Sequence, residues 1–592
     1  MPRKYTGKIT TSHVERRQKN GDIYVYEEER QYDREKGYSV IQHSKLIGVK
    51  KKGTDQVVPT RARRKFVNVT QEETTPFGEL KAVRKHDGMM DIVNHMSKTS
   101  GIDEDIRAAT DIPTADKIMS LAQYIVCNDS HSLTGIEEWQ YTHDLPYKDG
   151  INKNIYHTLF KEIGRDETLQ QAFFKFRLDR EDKVGLFLAC DSTLISTWSD
   201  NLTDDIARYR KNSEDDEMPK VKYLVLFSLK TNMPVWFTEL PGNISDIVTI
   251  KNVIDELKAL RIKEVTLVTD CGFFSVQNIG EMLGHNYDFI TLANLNNWVD
   301  VGHYSFFRTI QSAKYTCPFD VDIHGFTTSI TKSFEWTRTY GSTSKNIKPG
   351  DKVTGLKTVY RHTFCSQERK LAEDNAVKRN LVDINKQLES GNIKLEDMTK
   401  ATQELVKKCC RIYRDEAGNI VKAHIDGQGF DEYCKYNGIF IIVTNRNMDC
   451  FECLKWYRCR EHIEDFFRRA KNDGNMRRTG VWTKDILLGR MFVQFVALCL
   501  YQHTENEILR VKNSLLEKND VHSEFRVKKI TDDEKKLLNW LDSRSIVRIL
   551  NWFDAYDRVD ISIKLRLKRW STSNTKRDRM FLEKLGVIPS TS

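Results

Sequence analysis

The chain has 592 residues, which at roughly 150 residues per domain is enough for about four domains and several hydrophobic cores. Apolar residues make up 39% and charged residues 30%, a globular composition that excludes fibrous and disordered proteins. The longest nearly apolar run, residues 491–501, is about half of the ~20 residues that a membrane-spanning helix needs. Because the chain also starts without an apolar segment, we expect a soluble, unsecreted protein.

The cysteines and the charge indicate a compartment and a class of partner. The 12 cysteines follow no even spacing, which predicts reduced thiols in the cytoplasm rather than a disulfide framework. The net charge is +9, and residues 1–65 alone carry 17 Lys/Arg against 8 Asp/Glu. A basic segment of this kind attracts polyanions, nucleic acid first and an anionic membrane surface second.

The first 180 residues show two different patterns. Residues 1–70 combine alternating apolar positions, such as Ile23 to Tyr26, with basic runs at 50–52 and 61–65, which predicts a small β-containing module and a basic tether. From residue 89 apolar positions recur three and four apart, as is typical of helices. A helix-turn-helix fits this stretch, but the spacing does not establish one.

At residue 184 the pattern changes to short apolar runs separated by turns. The predicted elements are three strands, a helix, a strand, a helix and a strand, at 184–189, 223–229, 234–238, 245–260, 265–269, 275–283 and 289–293. The order βββαβαβ predicts an α/β fold with helices packed on a mixed sheet.

The sheet pattern is then interrupted and resumes. About 140 residues follow with two long polar helices, at 367–389 and 395–409, and strands on either side. An apolar strand at 438–444, a helix at 450–471 and an apolar helix at 486–501 resume the pattern, and the last stretch is predicted to be helical and basic.

Three acidic residues are placed where a sheet enzyme would use them. Asp191 and Asp270 each follow a predicted buried strand, and ligands of open sheets bind at that strand end. Glu464 falls in the middle of a predicted helix. Taken singly, Asp191 and Asp270 are better explained as turn or capping residues, so the prediction depends on the three together.

The helix that carries Glu464 also carries cations on the same face. Tyr457, Arg460, Glu464, Arg468 and Lys471 are three or four residues apart, which places them along one stripe. Hard divalent cations prefer carboxylates, whereas Arg and Lys pair with phosphate. The stripe predicts a metal-binding acid beside phosphate contacts, although a solvated face is the simpler reading of Arg468.

The spacing Tyr457-x2-Arg460-x3-Glu464-x6-Lys471 resembles the Tyr-Arg-Glu-Lys signature of bacterial cut-and-paste DDE transposases of the insertion-sequence-four type. The resemblance implies a ribonuclease-H-like mixed-sheet catalytic core interrupted by a mixed α/β insertion. It also implies that Asp191, Asp270 and Glu464 form the catalytic triad and bind two Mg²⁺ or Mn²⁺ ions. Relatives stack a flipped base on an aromatic residue at the position of Phe440, and their excision can pass through a DNA hairpin.

The same resemblance gives a division of the chain and a set of partners. It implies a basic DNA-binding module (1–70), a helical DNA-end-binding region (71–180), a core in two parts (181–295 and 438–514), an insertion (296–437) and a helical carboxy-terminal region for dimerisation or DNA contact (515–592). The expected partners are the terminal inverted repeats of an insertion sequence, target DNA and a second copy of the chain, with no membrane. Tyr457, Arg460, Lys471 and Phe440 are the predicted DNA contacts.

Two other functions and one other metal are compatible with the residues. A catalytically silent transposase-derived DNA-binding protein, or a nuclease of the same fold without strand transfer, would keep the same motifs. Cys450, Cys453 and Cys459 could suggest zinc, but a structural zinc site needs four ligands and no second cysteine pair has suitable spacing. Zinc is therefore the less favoured reading of these cysteines.

Overall fold

The computed structural model describes residues 9–17, 22–33, 38–50, 57–58, 80–128, 132–182, 185–203, 206–209, 218–294, 312–338, 348–391, 393–416, 418, 420–472, 476, 478–519, 530–563 and 566–588. The chain divides into two compact units, Met1–Leu80 and Lys81–Ser592.

The first unit contains an antiparallel sheet. Its strands are β1 (Thr10–Arg17), β2 (Ile23–Asp33), β3 (Tyr38–Lys50) and β4 (Val57–Val58), hydrogen-bonded in that order. Glu28 is fully buried on β2 and pairs with Arg16 of β1 and Arg30 of β2, which compensate its charge. The strands occur where the alternating pattern predicts them, and the basic run at 61–65 lies outside the described residues.

The second unit begins with a strand and a helical region. These elements are β5 (Leu80–His86), α1 (Asp87–Thr99), α2 (Ile102–Ala109), α3 (Ile112–Cys127), α4 (Ile136–Thr142), α5 (Lys153–Arg165) and α6 (Glu167–Asp179). Side-chain caps start several of them; Asp111, for example, accepts from the N–H of Thr114 and is followed by Pro113 in the first turn of α3. The predicted helical region is therefore present.

A mixed sheet follows, and it carries the acidic residues. Its first elements are β6 (Leu186–Thr197), β7 (Lys220–Ser228), β8 (Met233–Pro241), α7 (Asp246–Ala259), β9 (Val265–Thr269), α8 (Val276–Gly284) and β10 (Asp288–Ala293). The strand order is β8-β7-β6-β9-β10, with β6, β9 and β10 parallel and β7 antiparallel to its neighbours. The predicted α/β fold with a ribonuclease-H-like mixed sheet is confirmed.

The long strands of the insertion extend this sheet, and two short ones form a separate two-stranded sheet. The insertion contains β11 (Thr316–Cys317), β12 (Asp320–Thr337), β13 (Lys352–Ser366), α9 (Gln367–Glu389), α10 (Lys400–Cys409), β14 (Cys410–Arg414), β15 (Ile420–Ile425) and α11 (Gly427–Tyr433). The long β12–β13 hairpin joins the main sheet because β13 pairs with β16 (Ile439–Thr444), which in turn pairs with β10. Helices α9, α10 and α11 share a small apolar cluster that includes Leu381, Leu405 and Phe430.

The core ends with helices that depart from the prediction. They are α12 (Cys450–Arg458) and α13 (Glu461–Asn472), followed by β17 (Arg478–Thr479) and α14 (Lys484–Asn519). The single helix predicted at 450–471 is wrong, because the N–H groups of Arg460 and Ile463 bond to carbonyls three residues back, and this tight turn separates α12 from α13.

Helix α14 is the central helix of the second unit. It is more than twice as long as the helix predicted at 486–501. The predicted boundary at residue 514, between the core and the carboxy-terminal region, falls inside it. Lys484–Lys518 is long and apolar enough to cross a membrane by length and composition, but 78% of its most apolar window is buried inside the protein, as in a core helix.

The carboxy-terminal region is not purely helical, contrary to the prediction. It contains α15 (Asp532–Asp542), α16 (Ile546–Phe553), β18 (Asp557–Ile563), β19 (Arg566–Ser571) and α17 (Lys576–Leu585). The β18–β19 hairpin pairs with β5, so a strand near residue 80 and the end of the chain form one sheet. Such a pairing between distant segments has no local pattern that would predict it.

Candidate active site

Asp191 lies inside a strand, where the sequence predicted it to follow one. Pairing of β6 with β9 ends at Cys190 and Thr269, whereas pairing of β6 with β7 continues to Ser196. Asp191 is therefore the first residue of β6 beyond the parallel pair. Its Oδ1 accepts from the N–H of Ser192 at 2.8 Å, and its side chain is 15% exposed.

Asp270 follows β9 directly, as predicted, at the same end of the sheet. It caps a short 3₁₀ turn over Cys271–Phe273, and its Oδ1 accepts from the N–H of Gly272 at 2.9 Å. Because β6 and β9 are parallel neighbours, Asp191 and Asp270 lie at one edge of the sheet.

The turn between α12 and α13 brings the third acid to this edge. Arg460 lies in the turn, and its Nη1 donates to Oδ2 of Asp191 at 2.9 Å, while its Nη2 donates to Oε1 of Glu464 at 2.5 Å. One guanidinium thus bridges the first and third acids of the predicted triad. Ile463, Phe466 and Phe467 are buried and fix α13 against the sheet.

The electrostatics show that the three carboxylates share one site. The pKa of Asp191 is raised to about 7, and burial is the largest cause. The Arg460 guanidinium and the Ser192 N–H act to lower this pKa, whereas the charges of Asp270 and Glu464 act to raise it. A buried carboxylate with too little compensating charge favours a proton or a bound cation. Arg460 alone therefore does not neutralise this cluster of acids.

The donor set fits the divalent cations that the resemblance implies. Asp191, Asp270 and Glu464 offer carboxylate oxygens, the ligands that Mg²⁺ and Mn²⁺ prefer. Burial raises the pKa of Asp191, and a cation bound there would favour its deprotonated form.

Of the predicted DNA-contact residues, Tyr457 and Arg460 lie beside the triad, and Lys471 lies farther along α13. Tyr457 is close to the end of α12, with its ring centroid 5.8 Å from the Arg460 guanidinium carbon. Burial raises the pKa of Tyr457, and the charges of Asp270 and Glu464 also act on its hydroxyl. Lys471 is seven residues after Glu464 on α13, which places it two turns along the same face.

Phe440 occupies a more enclosed position than a base-stacking residue would need. It lies on β16, opposite Phe364 of β13, and the two rings are stacked with centroids 4.9 Å apart. The guanidinium carbon of Arg369 is 5.4 Å from its ring centroid. A base could stack on Phe440 only after one of these neighbours moved, so this role stays a prediction.

A fourth carboxylate, which the sequence reasoning missed, stands beside the triad. Asp246, at the start of α7, accepts from the Lys222 ammonium at 2.6 Å and from the Ser192 hydroxyl at 2.7 Å. The carboxylate of Asp246 lies near both predicted aspartates. Its partner Ser192 directly follows Asp191, and Gly272 lies between the carboxylates of Asp246 and Asp270. The fully buried Lys222 neutralises Asp246. Asp246 in turn holds β6 in place through the Ser192 hydroxyl. An acid at the first position of a helix is too common to have signalled it.

Two of the cysteines that could suggest zinc are buried at the start of α12. All 12 cysteines are free of disulfides. Burial raises the pKa of the Cys450 thiol to about 11 and that of Cys453 further. Both side chains belong to the main hydrophobic core, where a thiol packs as a small apolar group.

The cryo-EM structure of the piggyBac transposase synaptic complex with hairpin DNA has a TM-score of 0.31 and 9% sequence identity, and the match covers 79% of this chain and 78% of that chain. No protein of curated function matches the sequence.

The family model described as "Transposase DDE domain" matches residues 183–500. This match spans more than half of the chain, from the strand that carries Asp191 to the middle of α14, and it includes Asp270 and Glu464. The protein belongs to the transposase DDE-domain family.

Proposed function

We propose that this protein is a DNA transposase that binds the ends of its insertion sequence and carries out metal-dependent strand cleavage and strand transfer. The observation that carries the proposal is the meeting of Asp191, Asp270 and Glu464 at one sheet edge, with Arg460 bridging two of them. The spacing of Tyr457, Arg460, Glu464 and Lys471 supports membership in the insertion-sequence-four type of bacterial origin.

Asp191, Asp270 and Glu464 would hold two Mg²⁺ or Mn²⁺ ions, which supply the positive charge that activates an attacking oxygen and stabilises a leaving one in phosphodiester chemistry. The buried sheet edge holds Asp191 and Asp270 rigidly, and α13 brings Glu464 to them. Water is the first nucleophile and the freed 3′-hydroxyl the second, so the chain does not have to provide one.

Arg460 at the triad and an exposed aromatic residue at the far end of β6 both suit a DNA strand. Arg460 presents a planar guanidinium that matches phosphate as well as carboxylate, so an incoming phosphate would compete with Asp191 and Glu464 for it. Trp198, directly after β6, is 64% exposed and has the Arg478 guanidinium 5.1 Å from its ring centroid. An exposed indole beside an arginine is a surface on which bases stack.

The partners follow from the reaction. Cutting both ends of an element requires two active sites or repeated use of one, which favours a homodimer on terminal inverted repeats and target DNA. The free cysteines favour a reducing compartment, and we place the protein in the cytoplasm.

Cleavage of DNA that carries the sequences flanking this gene tests the proposal. The unaltered chain should produce breaks at the element boundary with Mg²⁺ and none with EDTA. Glu464→Gln should abolish cleavage, because it removes a carboxylate charge, while binding of the ends changes little. Glu461→Gln is the matched control: it lies one turn earlier on α13, is exposed, and should cut normally.

Each other outcome has a distinct meaning. Tight binding without metal-dependent cleavage would replace the proposal with a silent DNA-binding protein, and cleavage without joining to a target plasmid would replace it with a nuclease. If Glu464→Gln cuts as well as Glu461→Gln, Glu464 is not part of the active site.

A further inference from the structure

A second group of metal-ligand residues lies in the helical region, where three distant segments end. His86 is the last residue of β5, His143 directly follows α4, and Asp554 directly follows α16. The ligand atoms of these residues all lie within 4.8 Å of one another. The His143 Nε2 is 2.8 Å from Oδ1 of Asp554, and the His86 Nδ1 is 3.4 Å from its Oδ2.

The second nitrogen of each imidazole has an acceptor of its own. The His143 Nδ1 is 2.9 Å from the carbonyl oxygen of Trp139, which can only accept, so this nitrogen carries the hydrogen. The His86 Nε2 is 3.6 Å from Oδ1 of Asp557, an oxygen that is buried and has no hydrogen-bond partner. Metal-bound histidines usually donate their other N–H to a carbonyl or carboxylate in this way, which fixes the ring orientation.

The nitrogen of each imidazole that faces Asp554 can act as an acceptor. In its neutral form His143 presents an unprotonated Nε2 to a carboxylate oxygen, and His86 does the same with Nδ1 if its Nε2 donates to Asp557. Two acceptors at this separation repel, so these atoms need to share a cation, which is either a proton on the ring or a metal ion. Two imidazole nitrogens and one carboxylate are a donor set suited to Zn²⁺ and related transition-metal ions.

The surroundings hold the ligands in place independently of any ion. Arg558 pairs with Asp87 and Asp144, the residues that follow His86 and His143, and Lys85 pairs with Asp144 at 3.2 Å. The His143 ring is stacked on Trp139 with centroids 3.8 Å apart. His143 is buried, whereas His86 and Asp554 are partly exposed, which leaves an entry path for an ion.

We infer that His86, His143 and Asp554 form a binding site for a divalent transition-metal ion, zinc first, separate from the catalytic triad. Asp557 and the Trp139 carbonyl orient the two imidazoles. The bound ion ties β5, the end of α4 and the end of α16 together, at the sheet where β5 meets the β18–β19 hairpin. This inference does not depend on the proposed function.

The inference is tested by measuring zinc binding to the full chain after two of the predicted catalytic acids have been replaced. In a chain carrying Asp191→Asn and Asp270→Asn, stripped with EDTA and reloaded with Zn²⁺, about one tightly held ion per chain is expected by elemental analysis. His143→Gln should weaken binding by at least about 100-fold, and Asp557→Asn, which only orients His86, by about 10–100-fold. His157→Gln on α5, outside the cluster, is the matched control and should bind normally.

X-ray absorption at the zinc edge gives a readout that requires no histidine variant to fold. A spectrum with two imidazole shells supports the site, whereas a shell of oxygen atoms alone overturns it. The site is also overturned if the chain with the unaltered cluster holds no zinc tightly, or if the double variant His86→Gln/His143→Gln retains zinc. In either case a proton is the cation between these groups.

Discussion

At the scale of single residues, buried charges in this protein are held by specific partners. Arg177 of α6 is almost fully buried, and its Nη1 donates to Oδ2 of Asp105 at 3.0 Å and to the carbonyl of Ser100 at 2.9 Å. Arg180 donates to the same carboxylate at 2.8 Å. Removal of one partner from such a group leaves an uncompensated charge, which costs far more than the pair contributes.

We expect Asp105→Ala to lower the free energy of unfolding by about 3–5 kcal/mol, because Arg177 would stay buried without a counter-charge. Urea unfolding followed by circular dichroism measures the change. The neighbouring Glu104 is the control: it also pairs with Arg180, but its side chain is 79% exposed, so Glu104→Ala should cost less than about 1 kcal/mol. Equal losses in both variants would contradict the importance of burial.

At the scale of elements, the close approach of two helices depends on glycine. Helix α5 crosses the central helix α14, and each contributes one glycine to the crossing. A Cβ on Gly164 would overlap the backbone carbonyl of Asp485, and a Cβ on Gly489 would overlap that of Phe160. Neither obstacle is a flexible side chain, so the backbones themselves would have to separate.

Gly164→Ala and Gly489→Ala should therefore each destabilise the protein by about 1–3 kcal/mol, although alanine is intrinsically the better helix former. Thermal unfolding of the two variants measures the loss. Gly427→Ala, at the start of α11, introduces a Cβ with nothing within 4 Å and should be neutral or slightly stabilising. A gain in stability from either crossing variant would show that the helices pack less closely.

The start of α15 joins three helices through one carboxylate. Glu534 accepts from the N–H of Thr531 at 3.1 Å in a capping box, from Lys518 of α14 at 3.0 Å and from Lys584 of α17 at 3.1 Å. Burial alone would raise the pKa of Glu534, but the Thr531 N–H and the two lysines outweigh it and lower the pKa to about 2.

A carboxyl whose pKa is lowered on folding stabilises the folded state above its ordinary pKa of 4.5, and this contribution is lost as the pH falls toward 2. We expect Glu534→Gln to lower the free energy of unfolding by about 1–3 kcal/mol at pH 7. The difference from the unaltered chain should shrink between pH 4.5 and pH 2. Glu583→Gln, exposed on α17, should show no such dependence, and a constant difference for Glu534→Gln would exclude the charge as its cause.

At the scale of the whole molecule, the excess positive charge and the predicted triad lie in different units. Residues 1–65 hold the charge excess of the chain, whereas the triad lies entirely in Lys81–Ser592. One continuous hydrophobic core runs through the second unit, from Met89 on α1 to Val587 near the end of the chain. The second unit therefore has the core that independent folding requires.

A chain of residues 81–592 should fold, keep the triad and bind DNA of any sequence more weakly than the full chain. Because each bound phosphate displaces counterions from the DNA, the slope of log K against log salt should become shallower by about 0.9 for every phosphate that residues 1–80 neutralise. Fluorescence anisotropy at several salt concentrations measures both slopes. An unchanged slope would place the DNA-binding charge in the second unit.

The sequence by itself determined the parts of this protein that depend on local pattern. Alternating and three-to-four spacings predicted the strands and helices of the core, and a four-residue spacing identified Glu464 and Arg460 as partners of Asp191 and Asp270. These features are readable because short-range periodicity reflects which face of an element is buried.

Only the tertiary structure decided the contacts between residues that are distant in the chain. The bridge from Arg460 to Asp191, the Lys222–Asp246 pair, the joining of β12 and β13 to the main sheet and the cluster of His86, His143 and Asp554 each connect separate segments. The turn that splits α12 from α13 belongs with them, because packing on the sheet overrides the helical pattern there. Such contacts arise from how faces pack in three dimensions, which no local spacing encodes.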